Sequence, residues 1–219
     1  MPTLSELLAR LSFISVTTAA VGVLVTAGIL IVVQDWRLSL LALAVQYIFV
    51  GLLLTRVLVA ELAALKAVIG LIICPVLYVT AVRVRWGQPL ATADGPPAWR
   101  LPTSTAFRLV VALMGGLVSY NLATRPGLTL PEVQDPAINL ACYALMCLGL
   151  LALGLTEEPL KAGMGLLTFM SGFELFYAGL EQSLLVIGFL GLANLLIALS
   201  VAYLASVRAA PRQGETKQP

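Results

Sequence analysis

The sequence predicts an all-α polytopic membrane protein, a bundle of about seven transmembrane helices with the N-terminus outside and the C-terminus in the cytoplasm. Hydrophobic residues make up 60% of the 219 residues and charged residues only 11%, with a mean hydropathy of +0.99. Soluble domains average about 45–50% apolar and about 25% charged residues, so this chain needs lipid around it. The apolar runs are continuous and close in length to the about 20 residues that a helix needs to cross a bilayer. Strands of a membrane barrel would instead alternate apolar and polar residues over about 10 positions.

Charged residues, prolines and glycines divide the chain into seven predicted spans. These are residues 13–33, 38–55, 62–82, 107–123, 138–155, 160–180 and 183–207. Residues 1–207 are therefore predicted to form one transmembrane domain, and the polar residues 208–219 a disordered cytoplasmic tail. Two small-residue spacings, Gly115–Gly116 and Gly188–Gly191, predict close helix packing.

The orientation is predicted from the distribution of Lys and Arg between the two sides. With seven spans, one side holds Arg10, Arg56, Lys66 and Arg125. The other holds Arg37, Arg83, Arg85, Arg100, Arg108, Lys161, Arg208, Arg212 and Lys217. Cytoplasmic loops carry the excess of positive residues, so the second side is predicted to face the cytoplasm.

The residue types exclude several kinds of site. Histidine is absent, which removes histidine-based haem ligation, histidine metal sites and a Ser–His or Cys–His nucleophile pair. Cys142 and Cys147 diverge around one predicted helix and do not form half of a zinc or iron–sulfur site. We therefore expect no cofactor, no metal and no self-contained active site. A net charge of +2 without a basic run gives no reason to expect nucleic acid.

Polar side chains at bilayer depth are the candidate functional residues, because a central Asp, Lys or Arg costs about 2.5–3.5 kcal/mol to insert. Glu174 lies about 9 Å of helix rise before the predicted span end at Leu180. At that depth a carboxyl group must be protonated, paired or exposed to an aqueous cavity. Glu174 is therefore a candidate proton-relay group. The alternative is a carboxylate near a helix end whose boundary is placed slightly wrong.

Lys66, Glu61 and Asn194 are the other relay candidates. Lys66 and Glu61 lie near the junction of spans two and three, and Asn194 lies near the middle of span seven. A lysine near a helix end can also extend to the interface, and a buried asparagine can simply hydrogen-bond a neighbouring helix for about 0.6–2 kcal/mol. If the candidates act together, spans three, six and seven must be adjacent.

Two segments resemble a known family. Residues 155–208 form a charge-flanked turn, a helix with an embedded Glu, a very short connection, a helix with a central polar residue, and then Arg208. This order is similar to the E subunit of hydrogenase-4-type membrane complexes. More distantly it resembles the small K subunit of respiratory complex I and the C subunit of multisubunit cation/proton antiporters. Residues 65–77, where Pro75 follows Lys66, resemble the Lys-then-Pro helix of the same E subunit.

The resemblance implies a multi-pass cell-membrane subunit of a redox-driven or antiporter-type proton-translocating complex, with lipid and other membrane subunits as partners. Such a chain is at most a non-catalytic subunit of an oxidoreductase. Glu174 would stand for the family's helix carboxylate and Lys66 for its buried lysine. Asn194 stands where a second carboxylate often stands.

Two other functions remain open. A stand-alone transporter of a small solute or ion would have a cavity at discontinuous helices and usually repeat symmetry. No convincing internal repeat is present in the sequence. A purely structural membrane scaffold would use Glu174 only to hydrogen-bond a partner helix.

Overall fold

The computed structural model describes residues 15–58, 60–84, 86, 104–128, 135–180 and 183–214. This part of the chain contains seven α-helices and no strand, which confirms the predicted all-α class. The helices are α1 (Val16–Val32), α2 (Trp36–Val57), α3 (Ala60–Arg83), α4 (Thr105–Ala123), α5 (Pro136–Gly154), α6 (Pro159–Ala178) and α7 (Leu184–Gly214). Each helix overlaps one of the predicted spans.

Four of these helices are long and apolar enough to cross a membrane. They are α2, α4, α5 and the Leu185–Arg208 part of α7. Val16–Val32 and Val68–Arg83 are apolar but shorter, and α6 carries two buried charges, Lys161 and Glu174. Only 22% of the apolar stretch of α4 and of α7 is buried inside the protein, against 56% for α2. Exposed apolar faces of this size are typical of surfaces that contact lipid or another protein.

The helix starts follow from local capping residues. Ser15, Asp35 and Ser104 each accept a hydrogen bond from a backbone N–H of the first turn of α1, α2 and α4. Asp135 does the same for α5, with Pro136 at the first helical position. These groups satisfy backbone donors that the helix itself leaves unpaired, so the helices begin at these polar residues.

The C-terminal helix extends beyond its predicted end. The sequence predicted that span seven ends at Val207 and that a disordered tail starts at Arg208, but α7 continues to Gly214. Arg208, Ala209 and Ala210 are strong helix formers, and no glycine or proline interrupts them before Pro211. The apolar part of α7, Leu185–Arg208, ends one residue beyond the predicted end of span seven.

Four helices enclose the interior in which the polar residues lie. Helix α2 packs on α3 and α6, and α7 packs on the other side of α3 and α6, which closes a ring. Helix α5 contacts α6 more extensively than any other pair of helices and lies outside this ring with α1 and α4. The ring encloses side chains from α2, α3, α6 and α7, which is where the candidate site forms.

Candidate functional site

Lys66 of α3 and Glu174 of α6 form an ion pair inside the helix ring. The Lys66 Nζ contacts Glu174 Oε2, and both side chains are almost fully buried, at 4% and 7% exposure. Taking two charges out of water is expensive, and only close pairing with further hydrogen bonds offsets that expense. The pair is therefore a contact of the protein interior and not of its surface.

Asn194 of α7 completes the site. Its Nδ2 donates a 2.6 Å hydrogen bond to Glu174 Oε1, and Asn194 itself is fully buried. Each carboxylate oxygen of Glu174 thus has its own partner, one cationic and one neutral. The structure brings together three of the four predicted site residues and makes α3, α6 and α7 adjacent, as a joint site requires.

The depth of the three residues differs. Along their helices, Lys66 lies about 9 Å from the start of α3 and Glu174 about 6 Å from the end of α6. Asn194 lies about 15 Å from the start of α7. Glu174 is closer to its helix end than the predicted boundary at Leu180 implied, yet its side chain is only 7% exposed.

Neutral polar residues extend the cluster along α6. Gln46 of α2 donates a 3.2 Å hydrogen bond from Nε2 to Thr168 Oγ1, and both residues are buried. Thr168, Ser171 and Glu174 follow at three-residue spacing on one face of α6. Thr168 and Ser171 were missed because hydroxyl residues are common in apolar helices, where they bond to their own backbone, as both do here.

Tyr47 was also missed from the sequence. Its ring lies beneath the ammonium of Lys66, with Nζ 5.4 Å from the ring centroid. A cation over an aromatic face is stabilised by the ring quadrupole, and the contact strengthens when water is excluded. Gly70 of α3 lies against the same ring, because a Cβ added there would come within 2.6 Å of Tyr47 Cγ. The absence of a side chain at Gly70 thus allows Tyr47 to pack against α3.

Glu61 is not assigned by the structure. It belongs to the first turn of α3, but its side chain lies outside the described residues. Its proposed relay role therefore stays a prediction.

A second group of cations at the opposite end of α6 has a structural role. Lys161 Nζ donates a 2.6 Å hydrogen bond to the Val33 carbonyl, and Arg108 donates a 3.4 Å hydrogen bond to the Ile31 carbonyl. Both carbonyls belong to the C-terminal end of α1, where helix carbonyls have no partner inside the helix and the dipole favours positive charge. Lys161 and Arg108 therefore cap α1.

The Lys66–Glu174 pair consists of two side chains that can each gain or lose a proton. No group of three or more His, Cys, Asp or Glu side chains in the described residues is placed to hold a metal ion. Glu174 can exist as a carboxylate or as an acid, and Lys66 as an ammonium or an amine. Transfer of one proton from Lys66 Nζ to Glu174 Oε2 converts the ion pair into a neutral pair without other rearrangement.

Comparison with known proteins finds no matching family model, no matching curated protein and no matching solved structure. The functional assignment therefore depends on the residues and their geometry.

Proposed function

We propose that the chain is a multi-pass subunit of a redox-driven or antiporter-type proton-translocating complex in the cell membrane, and that Lys66 and Glu174 relay protons within it. The observation that carries the proposal is the buried ion pair inside a ring of apolar helices. Ionisable groups inside membrane helices are rare, and they mark proton and ion pathways in pumps and transporters.

The proposed topology has seven membrane crossings, with the N-terminus outside and the C-terminus in the cytoplasm. Support comes from the agreement between seven helices in the described residues and seven predicted spans. Lys161 and Arg108 lie at the end that the charge distribution predicts to be cytoplasmic, while the Lys66–Glu174 pair lies towards the other end. The bare apolar faces of α4 and α7 suit lipid or a partner subunit.

The relay depends on two protonation states of the Lys66–Glu174 pair that have similar hydrogen bonds. In the charged state Lys66 donates to a Glu174 carboxylate that also accepts from Asn194. In the neutral state the Glu174 carboxylic acid keeps the Asn194 hydrogen bond and faces the Lys66 amine. A proton that enters at Lys66 and leaves from Glu174 therefore needs no backbone movement. Such preorganisation suits a relay, since the alternative states differ by the position of one proton.

One observation favours a structural scaffold instead. Lys66, Glu174 and Asn194 link α3, α6 and α7 by contacts that would hold these helices together without any proton transfer. Assembly and transport must therefore be measured separately.

Proton transport by the assembled complex distinguishes the two functions. The variants are Glu174→Gln and the double variant Lys66→Met/Glu174→Gln, which removes both charges while an amide oxygen at position 174 still accepts from Asn194. We expect both to lower dye-reported proton uptake into energised membrane vesicles by about tenfold or more, since a positioned proton-transfer group contributes about 100-fold or more in enzymes.

The matched control is Arg56→Gln, which removes an exposed charge near the same end of the bundle and should leave proton uptake unchanged. Native gel electrophoresis of the same membranes reports assembly. If the double variant assembles at the parent level and transports protons at the parent rate, the residues act as a scaffold and the relay is rejected.

A further inference from the structure

A narrow cleft between the ends of four helices reaches the Lys66–Glu174 pair. Its wall is formed where α2 and α6 end and where α3 and α7 begin. Leu58, the C-cap residue of α2, and Ile187, in the first turn of α7, line it together with Lys66 and Glu174. All four helix ends lie at the end of the bundle opposite to the C-terminal end of α7, so the cleft lies at that end.

Polar atoms that need a donor lie further inside. Asn194 Oδ1 and Gln46 Oε1 are buried and have no hydrogen-bond partner among the described residues. Buried acceptors of this kind are normally satisfied by protein groups or by ordered water. A polar site with several partners and enough room is also the kind of site that holds water stably.

Towards the opposite end, the interior becomes apolar. On α6 the next charged side chain beyond Thr168 is Lys161, about 10 Å of helix rise away. No charged, amide or hydroxyl side chain lies within residues 40–45 of α2, 67–77 of α3, 162–167 of α6 or 195–199 of α7. Leu43 and Met164 are fully buried in one apolar cluster at this level. Lys161 does not bridge this layer, because it donates to the Val33 carbonyl.

We infer that the cleft is a water-accessible vestibule that connects the Lys66–Glu174 pair to one side of the membrane only, the side at which α2 ends and α7 begins. The apolar layer around Leu43 and Met164 closes the pair to the other side. A proton therefore reaches the Lys66–Glu174 pair from the vestibule, and its passage across the membrane requires a neighbouring subunit. The inference deepens the proposed relay function and rests on it for its role, but access to the cleft is a separate, measurable property.

Cysteine accessibility tests the vestibule in the full chain within its native membrane. The starting variant has Cys74, Cys142 and Cys147 replaced by alanine. Leu190→Cys places a thiol in the cleft wall, and Leu192→Cys places one two residues further along α7, on a face that is 51% exposed to the surroundings of the bundle. Arg208→Cys marks the C-terminal end of α7. The probe is a membrane-impermeant, cationic methanethiosulfonate, applied to vesicles of each orientation.

We expect Leu190→Cys to react about tenfold or more faster than Leu192→Cys, because the reacting thiolate forms in water and not in lipid. Labelling should occur from the side opposite to that of Arg208→Cys. Ile187→Cys, nearer the start of α7, should be labelled from the same side as Leu190→Cys. It replaces Leu190→Cys if that variant is not incorporated into the membrane.

Three results would overturn the vestibule: equal labelling of the Leu190 and Leu192 variants, labelling of the Leu190 variant from the Arg208 side, or no labelling of the Leu190 and Ile187 variants. The relay has its own test. Loss of proton uptake in Glu174→Gln together with an unreactive cleft would retain the relay and reject the vestibule. A reactive cleft together with unchanged proton uptake in Glu174→Gln would retain the vestibule and reject the relay.

Discussion

Glu174→Gln on its own is expected to destabilise the folded protein by about 3–5 kcal/mol, because it leaves the buried Lys66 ammonium without a compensating charge. Lys66→Met alone should also destabilise, since it leaves the Glu174 carboxylate with only Asn194. The double variant Lys66→Met/Glu174→Gln removes both charges and should return to within about 1 kcal/mol of the parent, as replacement of a whole buried pair is often neutral or stabilising.

Unfolding of the four proteins in mixed detergent and lipid micelles measures this cycle. The two single changes should be strongly non-additive, with a coupling of at least about 2–4 kcal/mol, because the double variant should recover nearly all of the loss that Glu174→Gln causes alone. If the two losses simply add in the double variant, Lys66 and Glu174 do not form a pair in the folded protein.

Gly149→Ala is expected to destabilise the protein through the contact of α5 with α6. A Cβ at Gly149 would lie 2.5 Å from the Phe169 nitrogen and 2.8 Å from the Phe169 Cα, both of which are backbone atoms of α6. Backbone atoms cannot rotate away as a side chain can, so the two helices must separate. Overpacking of this kind costs about 1–3 kcal/mol, which a fall in melting temperature in detergent would report.

Gly116→Ala is the matched control, since an added Cβ there meets no atom within 4 Å. Alanine is favoured over glycine inside a helix by about 0.5–1 kcal/mol, so this variant should be equally or more stable than the parent. A Gly149→Ala protein that melts at the parent temperature would show that α5 and α6 are not in backbone contact.

The helical fold was predictable because its signals are local. The predicted spans start within three residues of the observed helices, whose starts are set by capping residues such as Ser15, Asp35 and Asp135. The predicted end of span seven at Val207 agrees with the apolar part of α7, which ends at Arg208, while the helix itself continues to Gly214. Hydropathy indicates which part of a helix lies in apolar surroundings, but it does not indicate where the helical backbone ends.

The prediction that Gly115–Gly116 and Gly188–Gly191 lie at close helix contacts was confirmed only in part, because only some of these glycines face a neighbouring helix. Gly115 lies close to Leu148 and Leu151, and Gly191 lies close to Ile69, so each of these glycines allows a close approach. Gly116 and Gly188 meet nothing within 4 Å. Spacing along the sequence identifies small residues but not the face of the helix that meets a neighbour.

The charged and amide members of the site were predictable because their polarity contrasts with the helices around them. Lys66, Glu174 and Asn194 each cost free energy at bilayer depth, so each stands out in the sequence without any structure. Their pairing depends on how α3, α6 and α7 pack, which residue spacing does not encode. Tyr47 shows the same limit, since its contact with Lys66 requires knowledge that α2 and α3 are neighbours.

Infrared difference spectroscopy of the full chain in lipid tests the central claim, that Glu174 exchanges a proton, most directly. The C=O stretch of a protonated carboxyl group is separate from the bands of a carboxylate. We predict a protonated-carboxyl band that changes with pH, that is lost in Glu174→Gln and that persists in Glu157→Gln, in which an exposed carboxylate is removed. Spectra of the parent and of Glu174→Gln that show the same carboxyl bands at every pH would contradict the account, because a Glu174 that never changes its protonation cannot relay protons.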